Sequence, residues 1–288
     1  SKIGAAPARR DYLAEKQFTY WLEKDYHATM RWMEQRSNER KNIHNYFPEA
    51  KSIISLALNY FTGTSSDSED IGKISNYAWG DDYHNLIKSR LYQLLKEIKN
   101  LKPEINGIAC VDTSPIMEKR WAQKAGIGWI GKHTNLITKD FGSWVFLGEI
   151  LLNIELEYDS PFNEDLCGTC TACLDACPTH AFPEPYVIDS SKCISYLTIE
   201  HRDNLPVEME KALAGWIYGC DICQEVCPWN IKFNQISDDD SFKPRNNLKE
   251  RNLDEWSQLD TEEFKFLFKN SAVKRTKYEG LKRNIDAV

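Results

Sequence analysis

Four cysteines in one short stretch, "CGTCTACLDACPTHAFPEP" (Cys167 to Pro185), decide how this sequence folds. They follow the spacing C-x2-C-x2-C-x3-C-P, which is typical of bacterial iron–sulfur ferredoxins. Thiols can also form disulfides or bind zinc. The rest of the sequence has to separate these three possibilities.

A second motif, "CDICQEVCP" (220–228), and a single cysteine between the two motifs complete a set of eight thiols. Two [4Fe-4S] cubanes need eight thiolates. In two-cluster ferredoxins the fourth cysteine of the first motif binds the other cluster, because three ligands on a tight turn face one cube and the fourth points away. This rule predicts one cluster held by Cys167, Cys170, Cys173 and Cys227, and a second held by Cys177, Cys193, Cys220 and Cys223.

The sequence favours clusters over both alternatives. Zinc sites usually combine paired C-x2-C motifs or cysteine with histidine, whereas this run places three cysteines close together and a fourth before proline. A disulfide framework needs an oxidising compartment, and the first residues, "SKIGAAPARR", lack the apolar segment of a signal peptide. The ninth cysteine, Cys110, lies in an apolar stretch and is predicted to be a buried packing residue.

The composition is that of an acidic globular protein. The 288 residues are 42% hydrophobic and 27% charged, with a net charge of −7, and they suffice for a sizeable core in one or two domains. The acidic total argues against broad, non-specific nucleic-acid binding. No run of 18 apolar residues is present, so we expect no membrane-spanning helix. The missing signal peptide predicts a cytoplasmic location.

Alternating strand and helix patterns predict an α/β domain in the first part of the chain. The run "KSIISLALNY" (51–60) is almost continuously apolar, which is typical of a strand buried on both faces. The predicted strands are 2–6, 51–60, 107–112 and 144–153, the predicted helices are 11–36 and 84–101, and 63–73 is a predicted loop.

After residue 158 the sequence becomes rich in cysteine and proline and its predicted segments are short. This composition is typical of small domains that are stabilised by a bound metal. A helical segment is predicted near the end, at 253–285, with Asp260 and Glu263 at capping-box spacing. The expected domains are an α/β domain at 1–158, a cluster domain at 159–235 and a helical segment at 236–288.

Two short motifs match cofactor patterns incompletely. "GIGWIG" (126–131) has dinucleotide-loop spacing, but it follows a predicted helix rather than a strand. It is therefore predicted to be a helix end with a close backbone approach. The pairs Asp25–His27 and Asp82–His84 begin a D-x-H-x-x-G cobalamin motif, but both lack its glycine. Ordinary polar roles at helix starts are expected for these histidines.

Asp112 ends the apolar strand in "ACVDTSP". A carboxylate at this place is either the N-cap of the next helix or an acid placed for catalysis. Spacing alone favours the cap.

Five stretches of the chain together resemble the epoxyqueuosine reductases, iron–sulfur and cobalamin-dependent enzymes of tRNA queuosine maturation that are related to reductive dehalogenases. The resemblance runs over nearly the whole chain. The stretches are "VDTSPIMEKRWAQKAGIGWIGKHTNLI" (111–137), "FGSWVFLGEIL" (141–151), "CGTCTACLDACP" (167–178), "KCISYLTIE" (192–200) and "YGCDICQEVCPWN" (218–230).

The resemblance implies two [4Fe-4S] clusters and a base-off cobalamin without a histidine lower ligand. It also implies that Asp112 is a catalytic proton donor, whose pKa we expect burial to raise. The implied fold is an α/β (α+β) cobalamin-binding domain, with a two-cluster ferredoxin-like domain inserted in it or following it, and a short C-terminal helical segment. By motif position, the cobalamin contacts would be Arg40, Ser75, Asp112, Leu136, Leu147, Ser195 and Tyr196.

The reaction implied by the resemblance is reduction of epoxyqueuosine to queuosine at the wobble position of a tRNA. Electrons would pass from a low-potential donor through the clusters to cobalamin, and we expect a monomer. A single-stranded anticodon-loop base can be splayed into a pocket at modest cost. HEAT-like repeats carried by some members have no counterpart in this sequence. We therefore expect phosphate contacts from a basic run: Lys274, Arg275, Lys277, Lys282 and Arg283.

Two alternative functions stay open at this point. A reductive dehalogenase acting on a small organohalide would share both cofactors, and activity on a halide rather than on tRNA would identify it. A plain electron-transfer ferredoxin with an extra domain would bind no cobalamin.

Overall fold

The computed structural model describes residues 1–64, 71–245 and 248–288. The strands in these residues are β1 (Lys2–Pro7), β2 (Ser52–Asn59), β3 (Lys73–Ile74), β4 (Gly107–Cys110), β5 (Trp129–Ile130), β6 (Leu136–Ile137), β7 (Val145–Leu152) and β8 (Trp216–Tyr218).

The α-helices of the same residues divide into a group before the cysteine motifs and a group within and after them. The first group is α1 (Tyr12–Glu23), α2 (Arg31–Gln35), α3 (Ser37–Lys41), α4 (Ile43–Tyr46), α5 (Tyr83–Leu101) and α6 (Glu118–Lys124). The second is α7 (Ala172–Asp175), α8 (Ile194–Ile199), α9 (Val207–Glu210), α10 (Ile222–Glu225), α11 (Pro228–Phe233), α12 (Leu253–Ser257), α13 (Thr261–Leu267) and α14 (Lys277–Asp286).

A four-stranded sheet with the order β1-β2-β7-β4 forms the centre of the N-terminal half. The four predicted strands are all present, and every neighbouring pair is antiparallel. β2 and β4, which are joined through α5, run in the same direction, but β7 lies between them. The mixture of helices and strands is confirmed, and the antiparallel sheet makes the fold α+β. β2 is not uniformly buried, since buried and half-buried positions alternate along most of it.

Both faces of this sheet are covered. α5 packs so closely on one face that a Cβ atom on Gly148 would lie 2.9 Å from side-chain atoms of Ile87 and Leu91. On the other face Trp121 of α6 packs in one apolar cluster with Cys110. Cys110 is completely buried, as predicted.

The helix predicted at 11–36 is interrupted. α1 ends at Glu23, and a turn containing Asp25 (φ 55°) and Ala28 (φ 51°) separates it from the short α2. Residues with positive φ cannot continue a right-handed helix. The turn buries His27, whose ring lies 5.9 Å from that of Trp21.

The C-terminal helices pack against residues from distant parts of the chain. β3 pairs in parallel with β8, and one apolar cluster joins Ile74, Trp79 and Tyr218 to side chains of α12, α13 and α14. The helical prediction for 253–285 is correct in type, but this segment consists of three helices and a 3-10 helix at Ala272–Thr276.

The predicted capping box at α13 is only half formed. Asp260 accepts hydrogen bonds from the backbone N–H groups of Glu262 and Glu263, but the carboxylate of Glu263 pairs with Arg251 at 2.8 Å. A complete capping box occurs one helix earlier, between Asn252 and Glu255.

The segment "GIGWIG" ends a helix, as predicted. α6 stops at Lys124, and Gly126 follows with φ +74°. A Cβ atom on Gly128 would lie 2.0 Å from the carbonyl oxygen of Ile137, so this position requires glycine for the close approach. Most of the predicted loop 63–73 lies outside the described residues.

Candidate active site and thiol groups

Asp112 lies just beyond β4, at the start of the loop that leads to α6. Its backbone has φ 44°, and its N–H donates to the carboxylate of Glu118. A non-glycine residue with positive φ is uncommon and is held in place by its surroundings. The side chain is 54% exposed, yet burial by protein atoms is the largest influence on its pKa. The carboxylate is therefore reachable by solvent, although protein atoms pack around the rest of the residue.

A chain of three side chains ends at Asp112. The Nε2 atom of His84 lies 2.8 Å from an Asp112 carboxylate oxygen, and the Nδ1 atom of His84 lies 2.7 Å from Asp82. Asp82 is also the N-cap of α5 and accepts from the His84 backbone N–H at 3.0 Å. The expected helix-start role of this Asp–His pair is thus confirmed. The sequence-based expectation did not include the contact between His84 and Asp112.

The two carboxylates stabilise the charged form of His84. Burial lowers its pKa, but hydrogen bonds and charge attraction from Asp112 and Asp82 outweigh burial and raise the pKa to about 9. At neutral pH the ring is therefore an imidazolium that donates from both nitrogens. The Tyr83 ring stacks on the His84 ring, with centroids 4.0 Å apart, and so fixes its orientation.

The expectation that burial raises the pKa of Asp112 is wrong in this structure. Burial acts in that direction, but hydrogen bonds from His84 and Tyr83 and the positive charge of His84 outweigh it, so the pKa is lowered. The proton that a catalytic acid would need at neutral pH is carried by the neighbouring imidazolium instead.

Two residues at the start of α6 also lie near Asp112, and sequence reasoning missed both. Burial, and then the negative charge of Asp112, raise the pKa of Glu118 to about 8. Surrounding protein atoms lower the pKa of Lys119, while the negative charges of Glu118 and Asp112 act in the opposite direction. In the sequence, only their position at the start of the helix that follows the Asp112 loop could have indicated that they lie near Asp112.

Arg40, a predicted cobalamin contact, holds the loop that follows Asp112. Its Nη1 atom donates to the carbonyl oxygens of Ser114 at 3.5 Å and Ile116 at 3.4 Å. Its Nε atom is buried and has no hydrogen-bond partner among the described residues. Arg40 thus has an unused donor near Asp112.

All nine cysteines are free, and the eight motif thiols come together in two groups. Burial, and then neighbouring thiols, raise the pKa of Cys173 to about 11. Those neighbours are Cys167, Cys170 and Cys227. Cys170 is exposed, whereas Cys173 and Cys227 are buried. The first group therefore has one edge at the protein surface.

The second group lies deeper. Burial, together with the nearby thiols of Cys223 and Cys193, raises the pKa of Cys220. Cys177 is a neighbour of both Cys193 and Cys223, and Cys173 of the first group also lies near Cys223. The two groups are therefore adjacent, although no three His, Cys, Asp or Glu side chains within the described residues stand close enough to bind a single metal ion.

Backbone N–H groups point at several of these sulfurs, including those of Cys177 and Cys220. The Cys193 sulfur accepts from Ser195 and Tyr196, and the Cys227 sulfur accepts from Trp229 and Asn230. Hydrogen bonds to cysteine sulfur are one of the means by which proteins set the potential of an iron–sulfur cluster.

The other predicted cobalamin contacts have different surroundings. Leu136 and Leu147 belong to one apolar cluster beneath α6. Ser75 is 2% exposed and donates to Asp221, which lies between two cysteines of the second group. The Tyr196 hydroxyl lies 2.6 Å from that of Thr29. The neighbouring Ser195 is half-buried.

The predicted basic run does not form a single free surface. Arg283 donates to three backbone carbonyl groups, including that of Leu197 at 2.8 Å, and Lys282 pairs with Asp286 at 2.9 Å. Arg275 forms two hydrogen bonds with the carboxylate of Glu200. The exposed cations without such a bond are Lys274 and Lys277 among the described residues of this run.

No helix within the described parts of the chain is long and apolar enough to cross a membrane.

Two family models match the chain. "Epoxyqueuosine reductase QueG, DUF1730" matches residues 40–113, and "4Fe-4S double cluster binding domain" matches residues 166–230. The first includes Asp112 and its histidine partner, and the second includes all eight motif cysteines.

Curated relatives carry the same family name. The epoxyqueuosine reductase of Cellulophaga algicola is 46% identical over 266 residues, which cover 92% of this chain and 86% of the relative. That of Synechocystis sp. is 44% identical over 276 residues, which cover 95% of this chain and 94% of the relative.

Solved structures agree in fold. An epoxyqueuosine reductase with a tRNA-Tyr epoxyqueuosine-modified stem loop has a TM-score of 0.88 at 29% identity, covering 100% of this chain and 76% of that one. The enzyme from Bacillus subtilis has a TM-score of 0.87 at 27% identity, with the same coverage. This chain belongs to the epoxyqueuosine reductases, the oxidoreductases that convert epoxyqueuosine to queuosine in tRNA.

Proposed function

We propose that this chain performs the family reaction with two [4Fe-4S] clusters, a cobalamin and Asp112 as the acid. The observation that carries the proposal is the series of hydrogen bonds from Asp82 through His84 to the solvent-reachable carboxylate of Asp112. It supplies a proton where an oxygen atom has to leave carbon.

The proposed cluster ligands are the two groups of thiols. All-thiolate donor sets suit iron–sulfur clusters, and the proximity of Cys227 to the first three cysteines supports the crossed ligation. The exposed edge at Cys170 is where a low-potential donor would deliver electrons. The deeper group lies on the side of Lys119, since Cys223 is near enough to influence the pKa of that lysine.

Several of the proposed contacts suit a cobalamin. A corrin needs apolar walls with a few polar contacts, and the chain offers the half-buried side chain of Leu147 packed against the buried Leu136, an unused donor on Arg40 and the hydroxyl of Tyr196. Ser75 and Ser195 complete the proposed set. When bound, cobalamin supplies a cobalt centre of low potential that delivers electrons to carbon. Both nitrogens of His84 are engaged by carboxylates, which supports the absence of an imidazole lower ligand.

In the proposed reaction the epoxide accepts two electrons and two protons and gives an alkene and water. The imidazolium of His84 gives its proton to the carboxylate of Asp112 as Asp112 passes a proton to the departing oxygen, so His84 is the source of this proton. Asp82 keeps the ring oriented and stabilises its charge. Burial around Glu118 keeps that carboxyl protonated near neutral pH, so a second proton lies close to Asp112.

The proposed substrate is a tRNA anticodon loop, and the relative solved with a tRNA stem loop supports this partner. In the relative from Bacillus subtilis an aspartate catalytic loop is swung out of the active site, which supports a catalytic role for the loop that carries Asp112. We retain as parts of the proposal a monomer in the cytoplasm and the domain boundaries 1–158, 159–235 and 236–288.

The test uses protein reconstituted anaerobically with iron, sulfide and cobalamin. With a chemical reductant it should convert epoxyqueuosine in tRNA to queuosine, measured by mass spectrometry of the nucleosides, and omission of cobalamin should stop the reaction. Conversion without cobalamin would refute the cofactor assignment. Conversion of an organohalide but not of tRNA would favour a dehalogenase, and a protein that binds no cobalamin would be a plain electron carrier.

A further inference from the structure

We propose that the cleft between α2 and the start of α14 binds a nucleotide of the anticodon loop next to the reacting one. This inference rests on the function proposed above. The cleft has a volume of about 390 Å³ and is lined by one aromatic residue and three cations. A volume of a few hundred Å³ is typical of small-ligand sites.

The floor of the cleft is a stacking surface. The guanidinium of Arg275 lies over the Trp32 ring, 5.1 Å from its centroid, and Trp32 is 38% exposed. Glu200 holds Arg275 through two hydrogen bonds of 2.9 Å and 3.0 Å, so the plane of the guanidinium is fixed before any ligand arrives. Unpaired RNA bases stack on aromatic rings and on guanidinium planes, which makes this floor suitable for a nucleobase.

The rim of the cleft suits a phosphate. Lys277 is exposed and has a backbone with φ 64°. Such a conformation in a residue other than glycine is held by its surroundings and is frequent at ligand sites. Arg202 donates to the carbonyl oxygens of Thr276 and Arg275 and so fixes the segment before Lys277. The cleft thus carries three cations against two acids in a protein with a net charge of −7.

The cleft adjoins the proposed reaction site. Thr29 lines it, and the Thr29 hydroxyl lies 2.6 Å from that of Tyr196, a proposed cobalamin contact. Asp112 is near enough to raise the pKa of Arg275, after the larger effect of Glu200. A base stacked on the Arg275–Trp32 pair would therefore be a neighbour of the base that reaches Asp112.

The experiment measures binding of a fluorescent anticodon stem-loop carrying epoxyqueuosine to the reconstituted holoenzyme. Trp32→Leu keeps an apolar side chain but removes the ring, and we expect about tenfold weaker binding, as for the loss of one base stack. Two further stem-loops each carry one abasic site, placed either before or after the reacting base. One of the two should bind the native protein about tenfold more weakly than the intact stem-loop does. The same abasic stem-loop and the intact one should bind Trp32→Leu equally.

The matched control is Tyr92→Leu on α5, whose ring is 51% exposed and lies outside the cleft. It should bind as the native protein does. Lys277→Gln should reduce the slope of log affinity against log salt by roughly 0.7, the value for one single-strand phosphate contact. Lys88→Gln, an exposed lysine on α5, should leave the slope unchanged.

Three results would overturn the inference. Native affinity in Trp32→Leu would remove the stacking role. Equal abasic penalties in the native protein and in Trp32→Leu would show that the ring contacts no neighbouring base. Loss of the cobalamin absorption in Trp32→Leu would assign the cleft to the cofactor. A native holoenzyme that neither binds nor converts the stem-loop would refute the proposed function as well, whereas the first three results leave that function intact.

Discussion

His84 donates a hydrogen bond of 2.8 Å from its Nε2 atom to the carboxylate of Asp112, across 28 positions of sequence. In the proposed reaction this contact determines where the proton resides at rest, and the raised pKa of His84 makes the candidate site sensitive to pH.

The rate of the chemical step should fall as the pH rises through about 9. The pKa of His84 is raised from 6.5 to about 9, so the ion pair stabilises the fold fully below pH 6.5 and is lost as the pH approaches and passes about 9. His84→Gln should slow single-turnover conversion by about 10²-fold, the lower end of a general acid's contribution, and should abolish this fall. A fall at the same pH in the variant would contradict the relay.

Asp112→Asn should retain both clusters and cobalamin but lose turnover by roughly 10²–10⁴-fold. The amide keeps the shape and can accept from His84, but it cannot pass on an acidic proton. Absorption spectra would report the cofactors, and single-turnover assays would report the chemistry. Full activity would eliminate the acid role, and loss of cobalamin would make Asp112 a binding residue.

Cys227→Ala should damage the first cluster and largely spare the second. Its thiol lies near those of Cys167, Cys170 and Cys173, although Cys220 and Cys223 are closer to it in the sequence. Iron content and electron paramagnetic resonance after reduction would measure this. Cys110→Ala, which removes the buried thiol outside both groups, is the control and should retain all the iron. Loss of the same cluster in Cys177→Ala and Cys227→Ala would disprove the crossing.

Gly128→Ala should destabilise the fold by more than about 3 kcal/mol, in the range of exceptional substitutions. The added Cβ would lie 2.0 Å from the carbonyl oxygen of Ile137, so backbone has to move. Gly215→Ala is the matched variant: its φ is +81° but its Cβ would have ordinary contacts, so only about 1–2 kcal/mol is expected. Urea unfolding of both variants would compare them, and equal losses would show that the close approach is unimportant.

The basic run should separate into two functional halves. Lys274→Gln with Lys277→Gln should flatten the salt dependence of tRNA binding, by a slope of roughly 0.7–0.9 per lost contact. Arg283→Gln should lower stability instead, because three backbone carbonyl groups lose their donor. Binding assays at several salt concentrations, paired with thermal unfolding, would distinguish the two. A slope change in Arg283→Gln that equals that of the double variant would contradict the division.

The cluster motifs and the strands could be predicted from the sequence because their patterns are local. Eight thiols at motif spacing predict two clusters whatever surrounds them, and the apolar runs of β2 and β7 predict strands without knowledge of their partners. The end of the helix after α1 could not be predicted from the sequence, because the positive φ angles at Asp25 and Ala28 accompany the burial of His27 against Trp21. That contact depends on tertiary packing.

The proton relay could not be predicted for a related reason. Asp82 and His84 do have the helix-start role that their spacing indicates. No local sequence pattern indicates that the Nε2 atom of His84 reaches Asp112. Because this contact lowers the pKa of Asp112, the prediction of a raised pKa from burial alone was wrong. Glu118 and Lys119 were missed because their sequence context is an ordinary first helical turn.

The pairing of β3 with β8 has a consequence for the order in which the protein is assembled. Ser75 reaches its hydrogen-bond partner Asp221 across 146 positions of sequence, and β7 has to arrive before β2 and β4 are joined. A chain emerging from the ribosome folds its early parts first, but β3 has no partner until β8 has been made. Under the proposed ligation, completion of the first cluster has to follow synthesis of Cys227, and until then a nascent chain exposes up to seven reduced motif thiols beside the unpaired β3. Oxygen at that stage would damage the protein before it could carry an electron.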